Sequence, residues 1–326
     1  MKEKVLALLK QSGGYVSGQE LCESLGVSRT AVWKAVNALK ESGYEIESVT
    51  NRGYRLKESP DVLFAGEVKS LLDTEWFGRE ILYFDTVDST NNEIKRQAEQ
   101  GGREGLLAIA ESQSAGRGRH GRMWQSPAGS GIWMSFLLRP DITPEQAAGI
   151  TLVSAMGVAA AVREELGLPA QIKWPNDIVI NGRKLTGILV ELSTDMESIN
   201  YVAVGIGINV NNRSFPEEIR DKATSLSAEC GHRVKRSGIV ASFGKHFERC
   251  YKIFTEDGDM RRLRGEYEAA LVNKDAEVII IDADKEKRRR ALGINDAGEL
   301  IVEDSDGNTE NIRAGEVSVR GVYGYT

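Results

Sequence analysis

The sequence predicts an α+β protein of several domains, and three observations along its 326 residues indicate this class. Residues 1–58 contain three short helix patterns followed by a hairpin pattern. Strand and helix patterns then alternate through residues 62–270, whereas residues 271–326 contain only short strand patterns separated by glycine turns. We therefore expect three domains with these boundaries, joined at the first boundary by a linker around Lys57 to Asp61.

Composition limits the possible functions. The chain is 41% hydrophobic and 28% charged, as expected for a globular protein, and its net charge of −6 argues against unspecific coating of nucleic acid. Residues 1–58 differ, because nine Lys and Arg against seven Asp and Glu give about +2. The three cysteines lack metal-ligand spacing, and neither a signal segment nor a membrane span is visible. A reduced, cytoplasmic setting without membrane contact is expected.

Capping residues predict the helices of the first domain. Ser17, with Glu20 three residues later, has the capping-box pattern that begins a second helix. Ser28 begins a third helix over residues 29–42. Two helices joined by a short turn that contains a glycine, here Gly26, are typical of the helix-turn-helix.

The helix-turn-helix region runs from Gly18 to Asn37, and its third helix predicts DNA contact. The residues on its outer side are those with which a recognition helix reads a groove: Arg29, Thr30, Trp33, Lys34 and Asn37. A hairpin over residues 44–56 follows, with Arg52 and Arg55 near its tip, as in a wing that contacts phosphates. We expect a winged helix-turn-helix that binds DNA, with a small helical domain for protein contact as the alternative.

An unusual loop over residues 116–124, GRGRHGRMW, follows a strand pattern; we call it the arginine loop. Its glycines spell G-x-G-x-x-G, the fingerprint of dinucleotide-binding folds, which requires a helix directly after it. Residues 123–131 are too rich in glycine and proline for a helix. We therefore expect Arg117, Arg119 and Arg122 to bind phosphate oxygens themselves. The alternative is a solvated basic turn, against which Trp124 argues.

Polar residues occur at four further strand or helix ends. Ser89, Thr90 and Asn91 precede a helix, where Thr90 with Glu93 has the capping-box pattern and where a polar ligand group can bind. Thr143 and Pro144 predict the start of a long helix. The third end is KWPND, which begins at Lys173 after a short strand and precedes an Asn181-Gly182 hairpin. GIGIN then ends a strand at Asn209.

Four of these motifs together resemble one family. They are Ser89-Thr90-Asn91, the arginine loop preceded by Gln113, the KWPND stretch followed by Lys184 to Leu189, and residues 205–209. With the winged helix they are similar to the bifunctional biotin–protein ligases that also repress the biotin operon, and the resemblance covers essentially the whole chain. It implies a central catalytic domain similar to class II aminoacyl-tRNA synthetases, with mixed α and β structure, and an SH3-like small β-barrel at the C-terminus. Strand patterns at 276–281, 287–294, 299–302 and 316–320 agree with a small β domain.

The resemblance implies an ATP-dependent, AMP-forming reaction in two steps. Biotin and ATP give biotinoyl-5′-AMP and pyrophosphate, and a lysine of the biotin carboxyl carrier domain of a carboxylase then takes the biotinoyl group. Mg²⁺ accompanies ATP, without protein ligands assigned. The resemblance also implies repression of the biotin operon, with a ligand-bound homodimer on a palindromic operator. A mobile arginine loop that closes over the labile adenylate fits this chemistry.

The same resemblance implies roles for individual residues. The residues expected to act in catalysis are Lys173, Arg117, Arg119 and Arg122. The residues expected to bind biotin are Ser89, Thr90, Asn91, Gln113, Arg117, Gly118, Arg119 and Lys173. The residues expected to bind the nucleotide are Arg119, Arg122, Trp124, Lys173 and Asn209.

Three alternatives remain at this stage. The first is a ligase for lipoate or another carboxylate on the same fold, against which the arginine loop and Gln113 argue. The second is a non-catalytic repressor that senses biotin, for which Lys173 and three arginines would be unnecessary. The third is an enzyme whose N-terminal domain does not bind DNA. His120 stands where some relatives have arginine, and we assign it no role.

Overall fold

The computed structural model describes residues 1–195, 198–282, 285–314, 318–321 and 325. Its N-terminal part contains three helices and a two-stranded antiparallel hairpin: α1 Lys2–Ser12, α2 Gly18–Leu25, α3 Arg29–Glu41, β1 Glu45–Val49 and β2 Gly53–Glu58. Ser17 and Ser28 accept hydrogen bonds from the backbone N–H groups of Glu20 and Ala31, so both predicted caps form. The winged helix-turn-helix predicted from the sequence is therefore confirmed.

A short helix, α4 Ala65–Lys69, connects this part to the rest of the chain. Its Glu67 is buried and accepts hydrogen bonds from Lys10 Nζ at 2.5 Å and Tyr44 Oη at 2.6 Å. Burial and the Glu67 carboxylate raise the pKa of the Tyr44 hydroxyl well above its ordinary value, so this hydroxyl stays a donor. The helix-turn-helix is thus tied to α4 by buried polar contacts.

The central part is built on a seven-stranded mixed sheet. Its strands are β3 Ile81–Val87, β4 Leu107–Gln113, β5 Gly131–Leu138, β6 Gln171–Lys173, β7 Asp177–Ile180, β8 Arg183–Thr194 and β9 Ile199–Asn209. Their order is β3-β4-β5-β9-β8-β7-β6, in which β3 and β4 pair in parallel and the other neighbours are antiparallel. Strands β3, β4, β6 and β9 thus carry polar residues of the predicted motifs at or just after their ends.

Helices cover this sheet on both faces. They are α5 Thr90–Glu99, α6 Ala148–Leu166, α7 Leu226–Cys230, α8 Arg236–Asp257 and α9 Arg264–Ala270. The prediction that a helix begins at Thr143 is wrong, because α6 begins at Ala148. The Gln146 side chain accepts from Thr143 N and donates to Gly258 O, which holds the preceding residues in turns. None of the helices in the described ranges combines the length and apolar character that a bilayer crossing requires.

The last part is a five-stranded antiparallel sheet. Its strands are β10 Glu277–Asp282, β11 Lys285–Ile294, β12 Leu300–Glu303, β13 Thr309–Ile312 and β14 Ser318–Gly321, in the order β13-β12-β11-β10-β14. Strand β13 was not predicted, and residues 316–317 of the last predicted strand lie outside the described residues. The small β domain is confirmed, and its apolar residues join the core of the central part. The boundaries at 58/62 and 270/271 stay predictions.

Candidate active site

One cavity of about 790 Å³ opens between the central sheet, the arginine loop and the C-terminal sheet. It is lined by every residue for which the sequence predicted a ligand contact: Ser89, Thr90, Asn91, Gln113, Arg117, Gly118, Arg119, Arg122, Trp124, Lys173 and Asn209. These residues come from five separate segments of the chain. The fold therefore brings the predicted site together, while the role of each residue remains a prediction.

A network of neutral hydrogen bonds forms one end of this cavity. Gln113 Oε1 accepts from the Thr90 backbone N–H at 2.8 Å and from its hydroxyl at 3.1 Å. Gln113 Nε2 donates to Ser126 Oγ at 2.8 Å, and Ser135 Oγ lies 2.7 Å from Thr90 Oγ1. Ser126 and Ser135 were missed by the sequence analysis, since each is an isolated serine outside the recognised motifs. They fix the orientation of Gln113 and Thr90.

Asn91 extends this network toward strand β8. Its Oδ1 accepts from Ser135 Oγ at 2.6 Å, and its Nδ2 donates to Glu191 Oε2 at 2.8 Å. A Cβ on Gly205 would lie 2.2 Å from Asn91 Oδ1, so only glycine leaves room for this amide against the sheet. Asn91 is thus anchored on both sides by the protein, as a structural support of the cavity wall.

Ser89, and not the predicted Thr90, is the cap of helix α5. It is the N-cap residue of α5, with extended φ and ψ of −157° and 134°, and Thr90 is the first residue of the helix. The predicted capping box of Thr90 with Glu93 is therefore wrong. The Ser89 side chain makes no cap hydrogen bond and lines the cavity instead, buried to 4% exposure. Its hydroxyl is consequently directed to the ligand space rather than to the helix.

The arginine loop has a regular backbone structure. Gly118 N donates to Arg122 O at 2.7 Å and Trp124 N donates to Gly116 O at 2.9 Å, with a single 3₁₀ turn, Arg119–Gly121, at the tip. No α-helix follows, and the chain runs on to strand β5, which confirms that the loop is not a dinucleotide fingerprint. The arginine loop is therefore a hairpin-like turn with residues 119–121 at its tip.

Two glycines of the sheet support Trp124. A Cβ on Gly207 would lie 2.5 Å from Trp124 Nε1, and one on Gly187 would lie 2.9 Å from the ring, so the indole rests directly on the backbone of β8 and β9. Trp124 Nε1 is buried and has no hydrogen-bond partner in the described part of the chain. A buried N–H of this kind is satisfied when a ligand with an acceptor enters the cavity.

The three arginines of the loop differ in their surroundings. Arg119 Nη1 donates to Asn176 Oδ1 at 2.8 Å, and Asn176 Nδ2 in turn donates to Ile188 O at 3.0 Å. Burial lowers the pKa of the Arg119 guanidinium from its ordinary value, although the Asp177 carboxylate opposes this. Arg117 and Arg122 are exposed at the cavity mouth. In the described ranges, none of the three forms an ion pair with a carboxylate, so their charge is directed to the cavity or to solvent.

Lys173 lies at the end of β6, buried to 4% exposure, with its Nζ 3.5 Å from the centre of the Tyr325 ring. The Tyr325 hydroxyl hydrogen-bonds to Asp177 Oδ2, and Lys184 Nζ lies 2.6 Å from Asp177 Oδ1. Lys184 also lies 5.6 Å from the Trp124 ring. Tyr325 was missed by the sequence analysis, because nothing in the sequence indicates that the end of the chain returns to this cavity.

Asn209 ends strand β9 opposite Gly131 and is almost completely buried in the cavity wall.

No group of three or more His, Cys, Asp or Glu residues in the described ranges has an arrangement suitable for a metal ion. The cavity therefore combines a neutral hydrogen-bonding end with a cationic end formed by Lys173, Lys184 and the loop arginines.

The predicted DNA-reading residues lie together on α3. Arg29, Thr30, Lys34 and Trp33 are exposed, Trp33 at 56%, and Asn37 is half-buried. Arg52 is exposed next to the wing tip. Arg55 forms an ion pair with Glu47 at 2.8 Å, so part of its charge is already neutralised within the wing. The recognition helix thus presents an open polar and aromatic face.

Fold and cavity together define a class of protein: a winged helix-turn-helix joined to a domain with a cavity lined by cationic side chains. Three family models match this chain. They are the HTH domain over residues 2–55, the biotin/lipoate A/B protein ligase family over residues 83–209, and the biotin protein ligase C terminal domain over residues 276–320.

Similarity to individual proteins identifies the family more narrowly. The chain is 37% identical over 310 residues to the bifunctional ligase/repressor BirA of Bacillus subtilis, with 94% of this chain and 95% of that protein covered. It is 32% identical over 318 residues to the bifunctional ligase/repressor BirA of Escherichia coli, with 97% and 96% covered. The solved biotin protein ligase of Aquifex aeolicus, in complex with biotin and ATP, matches with a TM-score of 0.65 at 31% identity, over 74% of this chain and 99% of that one. This chain belongs to the family of bifunctional ligase/repressor proteins, and the resemblance and fold class inferred from the sequence are confirmed.

Proposed function

We propose that this protein activates biotin with ATP, transfers it to a lysine of a biotin carboxyl carrier domain, and represses transcription through its winged helix-turn-helix. The observation that carries the proposal is the pairing of two ends in one cavity. One end offers neutral donors and acceptors, and the other offers buried Lys173 and half-buried Arg119. A ligand with a neutral polar head and a carboxylate tail fits both ends.

The neutral end suits the cyclic urea of biotin. A urea offers one carbonyl acceptor and two N–H donors, and Ser89, Thr90 and Gln113 together supply hydroxyl and amide groups of both kinds. Because Ser126 and Ser135 hold Gln113 and Thr90 in place, these groups are ordered before a ligand arrives. The Trp124 ring, resting on the sheet glycines, offers a flat apolar surface and one N–H for the adenylate.

The cationic end suits the first reaction step. A biotin carboxylate oxygen attacks the α-phosphorus of ATP, the bond from that phosphorus to the bridging oxygen breaks, and pyrophosphate leaves. Lys173 would lie between carboxylate and α-phosphate, where its charge offsets their mutual repulsion and the charge that develops on the phosphoryl oxygens. Arg119, whose cationic form is disfavoured by burial, gains most from an anion beside it. Arg117 and Arg122 would contact the outer phosphates.

The second step needs a nucleophile from the partner. The amine of the carrier lysine attacks the acyl carbon of biotinoyl-5′-AMP, an amide forms, and AMP leaves with the bonding electrons. No protein nucleophile takes part. Mg²⁺ would enter as part of the MgATP substrate.

We further propose that the ligand-bound protein forms a homodimer on a palindromic operator, in the cytoplasm. The exposed face of α3 supports DNA reading, because a recognition helix offers such side chains to base edges. Two copies related by a two-fold axis would match the symmetry of a palindrome.

The decisive experiment is an adenylate assay. Purified protein with MgATP and biotin is expected to form biotinoyl-5′-AMP and to biotinylate a carrier domain, both detected by mass spectrometry. The same protein with lipoate is expected to give neither product. Lys173→Ala is expected to abolish adenylate formation, whereas Lys252→Ala, at an exposed position of α8, is expected to keep it. A mass shift with lipoate but not with biotin would identify a lipoate ligase instead.

The repressor function has a separate test. Footprinting on the DNA upstream of biotin-synthesis genes is expected to show protection that strengthens with biotin and ATP. Trp33→Ala with Lys34→Ala is expected to remove the protection without changing adenylate formation, because both residues lie outside the cavity. Unprotected DNA in the presence and absence of ligand would contradict the repressor function and leave the ligase function untouched.

A further inference from the structure

The wing carries a carboxylate among its cations. Strands β1 and β2 place Glu47 directly opposite Arg55 in their antiparallel pair. Tyr15 extends this row, because an antiparallel bridge joins the residue after it to the residue before Arg55. Lys57 lies two positions beyond Arg55 on β2 and therefore on the same face of the strand. One face of the wing thus brings an acidic, a phenolic and two basic side chains together.

The carboxylate of Glu47 binds both cations of this face. Its Oε2 accepts a hydrogen bond from Arg55 Nη2 at 2.8 Å, and its Oε1 lies 3.6 Å from Lys57 Nζ. Hydrogen bonds from Tyr15 and Arg55 outweigh desolvation and lower the pKa of the Glu47 carboxyl, so this group is ionised at neutral pH. The charges of Arg55 and Lys57 are therefore directed to Glu47.

Arg52, at the tip of the wing, has different surroundings. It is exposed, and among the described residues no carboxylate lies within ion-pair distance of its guanidinium. This guanidinium lies 5.8 Å from the centre of the Tyr15 ring, and that of Arg55 lies 4.9 Å from the same ring. A ring contact of this kind leaves the charge of an arginine intact. Arg52 can therefore contact an anion directly, whereas Arg55 must first leave Glu47.

The contacts of Glu47 are those that a phosphate would make. A guanidinium donates to carboxylate and phosphate oxygens in the same forked geometry, and a lysine contacts either anion as a point charge. The side chains of Arg55 and Glu47 are 40% and 30% exposed, and ion pairs at such positions contribute little free energy. An incoming phosphate can consequently replace the Glu47 carboxylate, but only in competition with it.

We propose that Glu47 occupies the place of a DNA phosphate on the wing and competes with the DNA backbone for Arg55 and Lys57. This inference rests on the proposed binding of DNA by the winged helix-turn-helix. Arg52 supplies the first phosphate contact of the wing, and the other two cations contribute only when the carboxylate has been displaced. Glu47 thereby lowers the affinity for DNA of any sequence, because phosphate contacts do not depend on the bases.

The test measures Kd by fluorescence anisotropy over a series of salt concentrations. Full-length protein with biotin and MgATP is titrated into two labelled duplexes, the DNA upstream of biotin-synthesis genes and a duplex of random sequence. Glu47→Gln keeps the size of the side chain and is expected to bind both duplexes about fivefold more tightly at low salt, the scale of one exposed ion pair. The slope of log Kd against log salt concentration is expected to steepen by about one to two, because Arg55 and Lys57 each gain a phosphate.

Two further variants separate competition from other effects of the exchange. In an Arg55→Ala background, Glu47→Gln is expected to tighten binding by less than about twofold, because only Lys57 remains to be released. Glu266→Gln is the matched control, since Glu266 forms an exposed ion pair with Arg249 at 2.5 Å between α8 and α9. This variant has the same net charge as Glu47→Gln and is expected to keep the wild-type Kd and slope.

Arg52→Ala tests the contact that needs no displacement. It is expected to weaken binding and to reduce the salt slope by about one, and unchanged binding would contradict its assignment as the first contact. Wild-type binding that Glu47→Gln leaves unchanged or weakens would overturn the proposal, because a supporting role of Glu47 predicts that loss. If the wild type and all variants, shown to be folded by circular dichroism, bound neither duplex, the proposed DNA binding itself would be overturned.

Discussion

Two arginines of this protein, one buried and one half-buried, have opposite surroundings. Arg236, at the start of α8, is 1% exposed, and its guanidinium donates to Asp61, Glu111 and the Gly131 carbonyl. Arg119, in the arginine loop, is half-buried and donates to the neutral Asn176 side chain. Burial opposes the charge of Arg236, but the Glu111 and Asp61 carboxylates outweigh this effect, so that its pKa is raised. For Arg119 burial prevails and the pKa is lowered.

The difference distinguishes an arginine that stabilises the fold from one that is available to a ligand. Arg236 joins the linker residue Asp61 to Glu111, two residues before Gln113, and it uses its donors within the protein. Arg119 keeps donors directed to the cavity. Burial of its charge costs desolvation free energy, which an anionic ligand would offset. Residue type alone does not separate the two cases, because both residues are arginines with polar neighbours.

The largest expected effect is on stability. Arg236→Ala leaves the Asp61 and Glu111 carboxylates without their shared cation and is expected to lower the free energy of unfolding by about 3–5 kcal/mol, measured by chemical denaturation. Arg233 forms an ion pair with the same Asp61 at 3.2 Å, but its side chain is 60% exposed. Arg233→Ala is therefore the matched control, with an expected loss below about 1 kcal/mol. Equal losses would contradict the assignment of Arg236 as the structural arginine.

The second effect is on the reaction. Arg119→Ala is expected to lower kcat for adenylate formation about 10²–10³-fold, the usual result of removing one preorganised charged donor. Because Arg119 has no carboxylate partner in the described ranges, the free energy of unfolding is expected to stay unchanged or to rise. Arg119→Lys keeps the charge without the planar fork and is expected to give an intermediate rate. If Arg119→Ala lowered the free energy of unfolding as much as Arg236→Ala does, the distinction between the two arginines would be contradicted.

A smaller effect is expected at the cavity mouth. Arg122 is exposed, so Arg122→Ala is expected to raise the KM for ATP about tenfold with little change in kcat. Since exposed charges are screened by salt, the difference between variant and wild type is expected to shrink as ionic strength increases in steady-state assays. A change in kcat without a change in KM would instead place Arg122 at the reacting phosphorus.

The smallest effect concerns exposed ion pairs. Hydrogen bonds from Lys245 and His246 lower the pKa of the Glu164 carboxyl to about 2. Because this folded-state pKa lies below the unfolded one, the contribution to stability is complete above about pH 4.5 and is lost as the pH falls through about 2. Glu164→Gln is expected to flatten the dependence of the unfolding midpoint on pH in this window, whereas Glu165→Gln is expected to retain it. An unchanged slope in Glu164→Gln would contradict the assignment.

Much of the fold and of the cavity lining follows from local patterns in the sequence. Ser17 and Ser28 cap their helices as predicted, because a cap depends on residues three positions apart. The glycine and proline of residues 123–131 excluded a helix for the same local reason. The two errors are also local. Thr90 and Thr143 have the composition of helix starts, but Ser89 takes the extended N-cap conformation, and Gln146 holds residues 143–147 in turns.

The remaining site residues depend on contacts between distant segments. Ser135 and Glu191 meet Asn91 only because β5, β9 and β8 are neighbours in the sheet, which strand patterns do not specify. Glu191 was nevertheless a visible signal, as an acidic residue within an apolar strand. Tyr325 gave no signal, since its position depends on how the C-terminal sheet packs against the KWPND stretch. The sequence therefore predicts the residues that line the cavity better than the residues that hold them in place.

Trp174, which follows Lys173, has a consequence for how the protein unfolds. Its backbone N–H donates to Asn273 Oδ1 at 2.9 Å and its indole N–H donates to Gly298 O at 3.1 Å, both in the C-terminal part. The neighbouring Val272 N donates to Ile172 O at 2.9 Å. Separation of the C-terminal sheet would thus break these three hydrogen bonds next to Lys173. The two parts are expected to exchange their slowest amide hydrogens together, as one cooperative unit that crosses the predicted boundary at residue 270.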